Sequence, residues 1–185
     1  GREADRLGRL TQKLLTLTKL DSSVEEEREI LDAAPVVRKV VRMLLPLARL
    51  RGIGIDTTFE PDCSVMTVED DLYQIVFNLT ENAIKYNRQD GWVGVSVRRA
   101  GDQVELRVED SGAGIPPESM EHIFERFYRV DKARSRAAGG AGLGLSIVHD
   151  MVERSYGTIT VQARPGGGTI FTVRFPHFDL EEDET

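Results

Sequence analysis

Two asparagines and a lysine lie on one side of a predicted helix in the segment LYQIVFNLTENAIKY, which spans residues 72–86. Asn78, Asn82 and Lys85 follow one another at i, i+4 and i+7, beside an apolar face on the helical wheel. A carboxamide oxygen is a hard, neutral ligand that suits Mg²⁺, an ion that takes further oxygens from nucleotide phosphates, and Lys85 can meet the phosphates themselves. A polar face turned toward water explains the pattern equally well. The residues predicted to face the core are Leu72, Ile75, Val76, Leu79 and Ala83.

Asp110 ends a segment of alternating apolar residues, VELRVED, that is typical of a strand. The glycines that follow, Gly112 and Gly114, permit a tight turn and a close backbone approach. A carboxylate fixed at a strand end can accept a hydrogen bond from the exocyclic amino group of adenine, where guanine presents a carbonyl instead. Taken alone, the sequence DSG is more typical of an ordinary turn, because Asp and Gly are common turn residues.

A denser glycine cluster, GGAGLGLSIV, spans residues 139–148 and leads into a helix predicted to begin at Leu145. The free backbone N–H groups and the dipole at a helix N-terminus attract anions, so this segment is a candidate phosphate site. It lacks the Lys-Ser/Thr ending of a P-loop, and no strand precedes it as in the dinucleotide-binding fingerprint. The competing interpretation, a mobile glycine linker, is disfavoured by the abrupt start of an amphipathic helix.

The aromatic and basic segment IFERFYR, residues 123–129, separates the two glycine-rich stretches. We interpret it as part of a lid, with the first glycine turn holding the base and the second holding the phosphates. Phe124, Phe127 and Tyr128 are expected to anchor this lid, and Arg129 to reach the phosphates. Residues 131–140 lack a large apolar side chain, so we expect them to be the most mobile internal segment. Core packing is the alternative explanation for the aromatic residues.

The remaining sequence supplies the elements that position these residues. Helices alternate with antiparallel strand pairs, which predicts an α+β sandwich with helices on one face of a mixed sheet. A leucine stripe in a predicted helix over residues 3–20 indicates either packing on another helix or an ordinary amphipathic helix. The other predicted elements are a short strand before Asp32, a helix from Asp32 to Arg51, two strands around residues 60–63, a helix over 69–87, a hairpin turning at 100–102, a helix over 145–155, a short helix MEHIFERF over 120–127, and a hairpin over 158–176.

Composition narrows the class of protein. The chain has 185 residues, of which 40% are hydrophobic and 30% charged, so one globular domain with a short extension is expected. A net charge of −7 argues against non-specific nucleic-acid binding. No apolar run approaches the roughly 18 residues that span a bilayer. The single cysteine, Cys63, cannot form an internal disulfide, which suits a reducing compartment and a structural role.

The segments NLTENAIKY, DSGAGI, IFERFYR and GGAGLGL occur in this order along the chain. They resemble the N, G1, F and G2 boxes of sensor histidine kinases, within the ATPase superfamily that includes gyrase, Hsp90 and MutL. The segment GGGTIF resembles the last glycine box. The resemblance covers about residues 22–175 and implies the Bergerat-type two-layer α/β sandwich, with a domain over 22–178 and an acidic tail over 179–185.

This resemblance implies a site for ATP and Mg²⁺. Asn82 matches the Mg²⁺-binding asparagine with Asn78 beside it, Asp110 matches the acid that reads adenine, and Arg129 matches a phosphate-contacting arginine. The other positions matched to the ATP site are Lys85, Tyr86, Gly112, Gly114, Ile115, Gly140, Gly142, Leu143, Gly144, Leu145 and Thr169.

The resemblance also implies an activity and partners. The γ-phosphoryl group of ATP would pass to a histidine of the dimerisation and phosphoacceptor hairpin, for relay to the receiver domain of a response regulator. Residues 1–21 resemble the end of the second helix of that hairpin, which favours helix packing for the leucine stripe and a homodimeric parent. The domain is expected in the cytoplasm, in a parent protein of the bacterial plasma membrane.

Two features depart from the family pattern. Many members carry HGG where this chain has SYG at residues 155–157. The phosphoacceptor box is absent, because His122, His149 and His177 lack the neighbouring acid and proline, so the chain alone is expected not to phosphorylate itself. A nucleotide-binding regulatory module or degenerate kinase without transfer activity is the alternative. A hydrolytic ATPase is disfavoured, because Asn78 stands where those enzymes use a glutamate as base.

Overall fold

The computed structural model describes residues 27–129 and 144–180. Among these residues, five strands form one mixed sheet in the order β2-β4-β5-β7-β6, and β1 pairs with β3 in a separate ribbon. The strands are β1 Glu29–Asp32, β2 Gly54–Phe59, β3 Ser64–Thr67, β4 Trp92–Ala100, β5 Gln103–Asp110, β6 Thr158–Ala163 and β7 Thr169–Pro176. The helices are α1 Ala33–Leu50, α2 Glu69–Lys85 and α3 Gly144–Arg154, with a 3₁₀ turn at Pro117–Ser119.

The strand pairing confirms the predicted α+β architecture. β2 runs parallel to β4, while the pairs β4–β5, β5–β7 and β6–β7 are antiparallel. Both predicted hairpins are present, and α1 begins where predicted, with the Asp32 carboxylate accepting a hydrogen bond of 3.2 Å from the Ala34 N–H. A side-chain oxygen at this position satisfies one of the free donors of a helix N-terminus.

The core lies between the helices and one face of the sheet. The predicted apolar face of α2 is buried, with Leu72, Ile75 and Val76 fully inaccessible. Alternate residues of β4 and β5 face these side chains, for example Val97 opposite Leu106. Cys63 is fully buried as well, and burial raises the pKa of its thiol, which agrees with the predicted structural role.

The predicted helix over residues 120–127 is wrong. After the 3₁₀ turn the backbone continues as turns, in which the N–H groups of His122, Glu125 and Tyr128 each bond the carbonyl three residues earlier. Phe127 has a φ of +65°, which an α-helix does not accommodate. Apolar residues at helical spacing therefore produce tight turns here instead of an α-helix.

No helix in the described parts of the chain has both the length and the apolar character needed to cross a membrane.

Candidate functional site

Asp110 is the last residue of β5 and pairs with Thr169, the first residue of β7. The backbone N–H of Gly112 donates a hydrogen bond of 2.9 Å to Oδ1 of Asp110, which fixes the carboxylate relative to its strand. Burial raises the pKa of the Asp110 carboxyl, and the backbone hydrogen bonds from Gly112 and Thr169 oppose that shift. A carboxylate held in this way is a directed acceptor for a donor such as the adenine amino group.

Two glycines allow the backbone to close around Asp110. A Cβ atom at Gly112 would lie 2.8 Å from the carbonyl oxygen of Tyr86, the residue that follows α2. A Cβ atom at Gly168 would overlap the carbonyl oxygen of Asp110, and Gly168 has a φ of +112°. Residues with a side chain rarely adopt such a backbone. The end of α2, the turn after β5 and the hairpin before β7 therefore meet at Asp110.

A hydrogen-bond network that the sequence patterns did not reveal supports this turn. The Asn87 side-chain amide donates to the carbonyl oxygen of Trp92 at 3.0 Å, and the Trp92 N–H donates to the Ser111 hydroxyl at 2.7 Å. Gly91 leaves room for the amide, because a Cβ there would overlap Asn87 Oδ1. Asn87 and Ser111 are polar residues in loops, and such residues are common in ordinary turns. Their types alone therefore do not indicate that they position the turn after Asp110. The only sequence signal was their adjacency to Tyr86 and Asp110.

The predicted metal ligands occupy half-buried positions one turn apart on α2. Within residues 27–129 and 144–180, neither carboxamide of Asn78 and Asn82 makes a hydrogen bond, so both oxygens are available to a ligand. The carbonyl oxygen of Asn82 accepts a hydrogen bond of 3.0 Å from the Tyr86 N–H. Asn82 therefore lies one turn before the point where α2 meets the turn after Asp110. Two amide oxygens on one helix face fit the chemistry of Mg²⁺, which prefers hard oxygen donors.

Lys85 is engaged on its own helix, where its ammonium nitrogen lies 3.2 Å from Glu81 Oε1. The ammonium group has three N–H donors, so this pair leaves donors for a phosphate, and the predicted role stays a prediction. The other predicted site residues with half-buried positions are Tyr86, Gly112, Gly114, Ile115, Arg129, Gly144 and Leu145. The predicted site residues outside the described parts of the chain are Gly140, Gly142 and Leu143.

The aromatic residues before the glycine cluster divide into packed and exposed positions. Phe124 contacts Phe171 of β7 and His149 of α3, with ring centroids 6.4 and 5.5 Å apart. The Tyr128 hydroxyl donates to the Ser119 hydroxyl at 2.9 Å. Phe127 is 58% exposed, so the expectation that it anchors this segment is wrong. Phe127 also has a left-handed backbone, with a φ of +65°.

Each of the three histidines has a carboxylate neighbour, and the side chains of His122 and His149 are partly exposed whereas that of His177 is buried. The hydrogen bond that the His122 ring donates to the Glu125 carboxylate raises the pKa of His122. The nearest pairs are His122 Nδ1 to Glu125 Oε1 at 2.8 Å, His149 Nε2 to Glu153 Oε1 at 3.5 Å, and His177 Nε2 to Asp62 Oδ1 at 3.2 Å.

Residues 67–179 match the family of histidine kinase-, DNA gyrase B-, and HSP90-like ATPases. The sensor-like histidine kinase SenX3 of Mycobacterium tuberculosis is 37% identical over 175 residues, which cover 94% of this chain and 43% of SenX3. The chain thus spans less than half the length of this relative.

Two solved structures share the fold. The mycobacterial sensor histidine kinase MprB is 29% identical with a TM-score of 0.70, covering 83% of this chain and 99% of MprB. Full-length ShkA, solved in complex with AMPPNP, is 27% identical with a TM-score of 0.84, covering 97% of this chain and 38% of ShkA. The chain therefore belongs to the family of histidine kinase-, DNA gyrase B- and HSP90-like ATPases, and within it the chain contains the catalytic ATP-binding domain of a sensor histidine kinase.

Proposed function

We propose that this chain binds ATP with Mg²⁺ and donates the γ-phosphoryl group to a histidine on the phosphoacceptor helix of a sensor histidine kinase. The observation that carries the proposal is the half-buried carboxylate of Asp110, which accepts a hydrogen bond of 2.9 Å from the Gly112 N–H. The backbone approaches it closely at Gly112 and Gly168. Membership in the family supports ATP as the nucleotide. ShkA, a relative of the same fold, was solved with AMPPNP, an ATP analogue.

The residues of this chain act by positioning and by charge. Asp110 accepts a hydrogen bond from the adenine amino group, and Gly112 keeps the carboxylate in place for it. Asn78 and Asn82 present the oxygens that would hold Mg²⁺, whose charge offsets that of the phosphates when it is bound. An in-line transfer then depends chiefly on how accurately the acceptor nitrogen is held.

In this proposal the domain works in the cytoplasm as part of a homodimeric protein of the bacterial plasma membrane. The receiver domain of a response regulator takes the phosphoryl group from the acceptor histidine. A regulatory module that binds nucleotide without transfer is the second candidate, and a transfer assay distinguishes it from the kinase.

Replacing Asn82 with alanine tests the metal site. The variant should lose about 10- to 150-fold in ATP affinity with Mg²⁺ present, because an oxygen contact to a charged group contributes about 1.5–3 kcal/mol. Affinity in EDTA should change little, and the helix should persist because alanine is the better helix former. Asn82→Asp keeps an oxygen ligand and should retain the Mg²⁺ dependence. An equal loss in Mg²⁺ and in EDTA, measured by calorimetry, would remove Asn82 from the metal site.

A transfer assay separates the kinase from the regulatory module. With ATP labelled on its γ-phosphate, the chain alone should take up no label, because its histidines are held beside carboxylates of the same domain that binds the nucleotide. A protein that joins the chain to a phosphoacceptor hairpin should gain acid-labile label on the hairpin histidine. Binding of ATP without any transfer to the hairpin would support the regulatory module. Acid-labile label on the isolated chain would contradict the expected absence of an acceptor.

A further inference from the structure

Tyr156 lies in the turn between α3 and β6 with a left-handed backbone, at a φ of +59°. Glycine adopts this conformation without steric cost, whereas an aromatic residue there is strained. Among the described residues, three others with a side chain share a positive φ, and two of them are aspartates, which tolerate it better. Tyr156 is 72% exposed, so burial in the core does not hold it in place.

The ring of Tyr156 contacts a cation at the start of the described chain. The guanidinium carbon of Arg28 lies 4.7 Å from the ring centroid, within the range of a cation–π interaction. Arg28 directly precedes β1, the strand that leads the chain into the domain from residues 1–26. The strained turn therefore meets the N-terminal segment at the point where that segment joins the fold.

The turn that carries Tyr156 is fixed to the body of the domain. The hydroxyls of Ser155 and Thr67 are hydrogen bonded at 2.8 Å in a fully buried contact. Arg154 Nε lies 3.1 Å from the buried carboxylate of Asp71, near the start of α2. A Cβ atom at Gly157 would lie 2.8 Å from the carbonyl oxygen of Arg174 in β7, so the backbone there is closely packed.

We propose that Tyr156 and Arg28 form a clamp that fixes the direction in which residues 1–26 leave the domain, and that Tyr156 thereby positions the acceptor-bearing hairpin relative to the nucleotide. This inference rests on the proposed function. The turn is tied to the end of β3, the start of α2 and the end of β7, and the opposite ends of α2 and β7 lie beside Asp110. Arg28 lies two residues after the segment that is to be placed. A displacement of the acceptor by about 1 Å can lower the rate of transfer about 100-fold. A weak contact at this junction can therefore have a large effect on that rate.

The first test uses the chain itself, with limited trypsin cleavage after Arg28 followed by intact mass. Tyr156→Gly removes the ring and relieves the backbone strain, and should speed cleavage at Arg28 about two- to fivefold, the loss expected for an exposed cation–π contact. Tyr156→Phe keeps the ring and should behave like the unchanged protein. All three proteins should bind ADP equally. Unchanged cleavage in Tyr156→Gly, or equal acceleration at arginines throughout the domain, would overturn the clamp.

The second test measures transfer in the protein that joins this chain to the phosphoacceptor hairpin. Tyr156→Gly should lower the transfer rate about tenfold or more with an unchanged KM for ATP, while Tyr156→Phe retains the rate. Equal rates for the unchanged protein and Tyr156→Gly would overturn the positioning role. If the unchanged protein transfers nothing while cleavage at Arg28 still depends on the ring, the proposed kinase function fails and the clamp itself stands.

Discussion

Asp110→Asn is expected to weaken ATP binding about 10- to 150-fold, since a charge-assisted hydrogen bond contributes about 1.5–3 kcal/mol. The asparagine amide can rotate to offer a donor, which suits the guanine carbonyl, so the preference for ATP over GTP should fall as well. Titration calorimetry with both nucleotides measures this change. Equal ATP affinity for the two proteins would reject the adenine-reading role of Asp110.

The same substitution should raise the free energy of unfolding of the nucleotide-free chain at neutral pH. Burial raises the pKa of Asp110 in the folded state, so the folded chain binds this proton more tightly than the unfolded chain does. Stability from this group is therefore present below the ordinary carboxyl pKa and is lost as the pH rises through the raised value. Asparagine has no charge to desolvate and removes that loss. Opposite effects on binding and stability would distinguish a functional carboxylate from a structural one.

Glu109→Gln provides the matched control on the same strand. Glu109 is adjacent to Asp110 and lies 3.7 Å from Arg164 Nε, in a partly exposed ion pair. Removing this neighbouring carboxylate should leave ATP affinity within about twofold, because exposed ion pairs contribute about 0–1 kcal/mol. The ATP affinity of the unchanged chain should also fall as the pH drops through the raised pKa of Asp110, and that dependence should disappear in Asp110→Asn.

Local sequence patterns predicted the parts of the site that depend on one element. The helical period placed Asn78 and Asn82 beside the buried face of α2, and strand alternation ended β5 at Asp110. Both features follow from spacing along a single helix or strand, which the sequence records directly. The family resemblance then assigned their roles, and the fold agrees with that resemblance.

Contacts between segments that are distant in the sequence were not predicted, because they depend on the tertiary structure. The bonds that join Asn87 to Trp92 and Trp92 to Ser111 depend on how two loops close against each other. The parallel pairing of β2 with β4 likewise depends on the whole layout of the sheet. The helix predicted around Phe127 failed because successive i→i+3 bonds satisfied the backbone in turns. Apolar spacing alone does not distinguish these two outcomes.

Gly168→Ala is expected to have the largest effect on the site, through backbone strain and through steric overlap with Asp110. Gly167→Ala introduces the backbone strain without the overlap and so separates these two causes. Both glycines have a φ of +112°, but a Cβ at Gly167 meets nothing within 4 Å, whereas a Cβ at Gly168 would overlap the carbonyl oxygen of Asp110. Gly167→Ala should thus lower the free energy of unfolding by about 1–2 kcal/mol through backbone strain alone. The overlap at Gly168 forces β7 away from β5 and should bring the loss to about 3–5 kcal/mol.

The displacement at Gly168 falls directly on the residue that reads the base. Pairing between Asp110 and Thr169 holds the end of β5 against the start of β7, so a wider gap there moves the carboxylate away from its partners. ADP binding should be lost in Gly168→Ala even at temperatures where circular dichroism shows a folded chain, and retained in Gly167→Ala. Urea unfolding and calorimetry on the two variants measure both effects. If they bind ADP equally and unfold at the same denaturant concentration, the close approach at Gly168 does not shape the site, and the backbone hydrogen bonds from Gly112 and Thr169 are enough to hold Asp110.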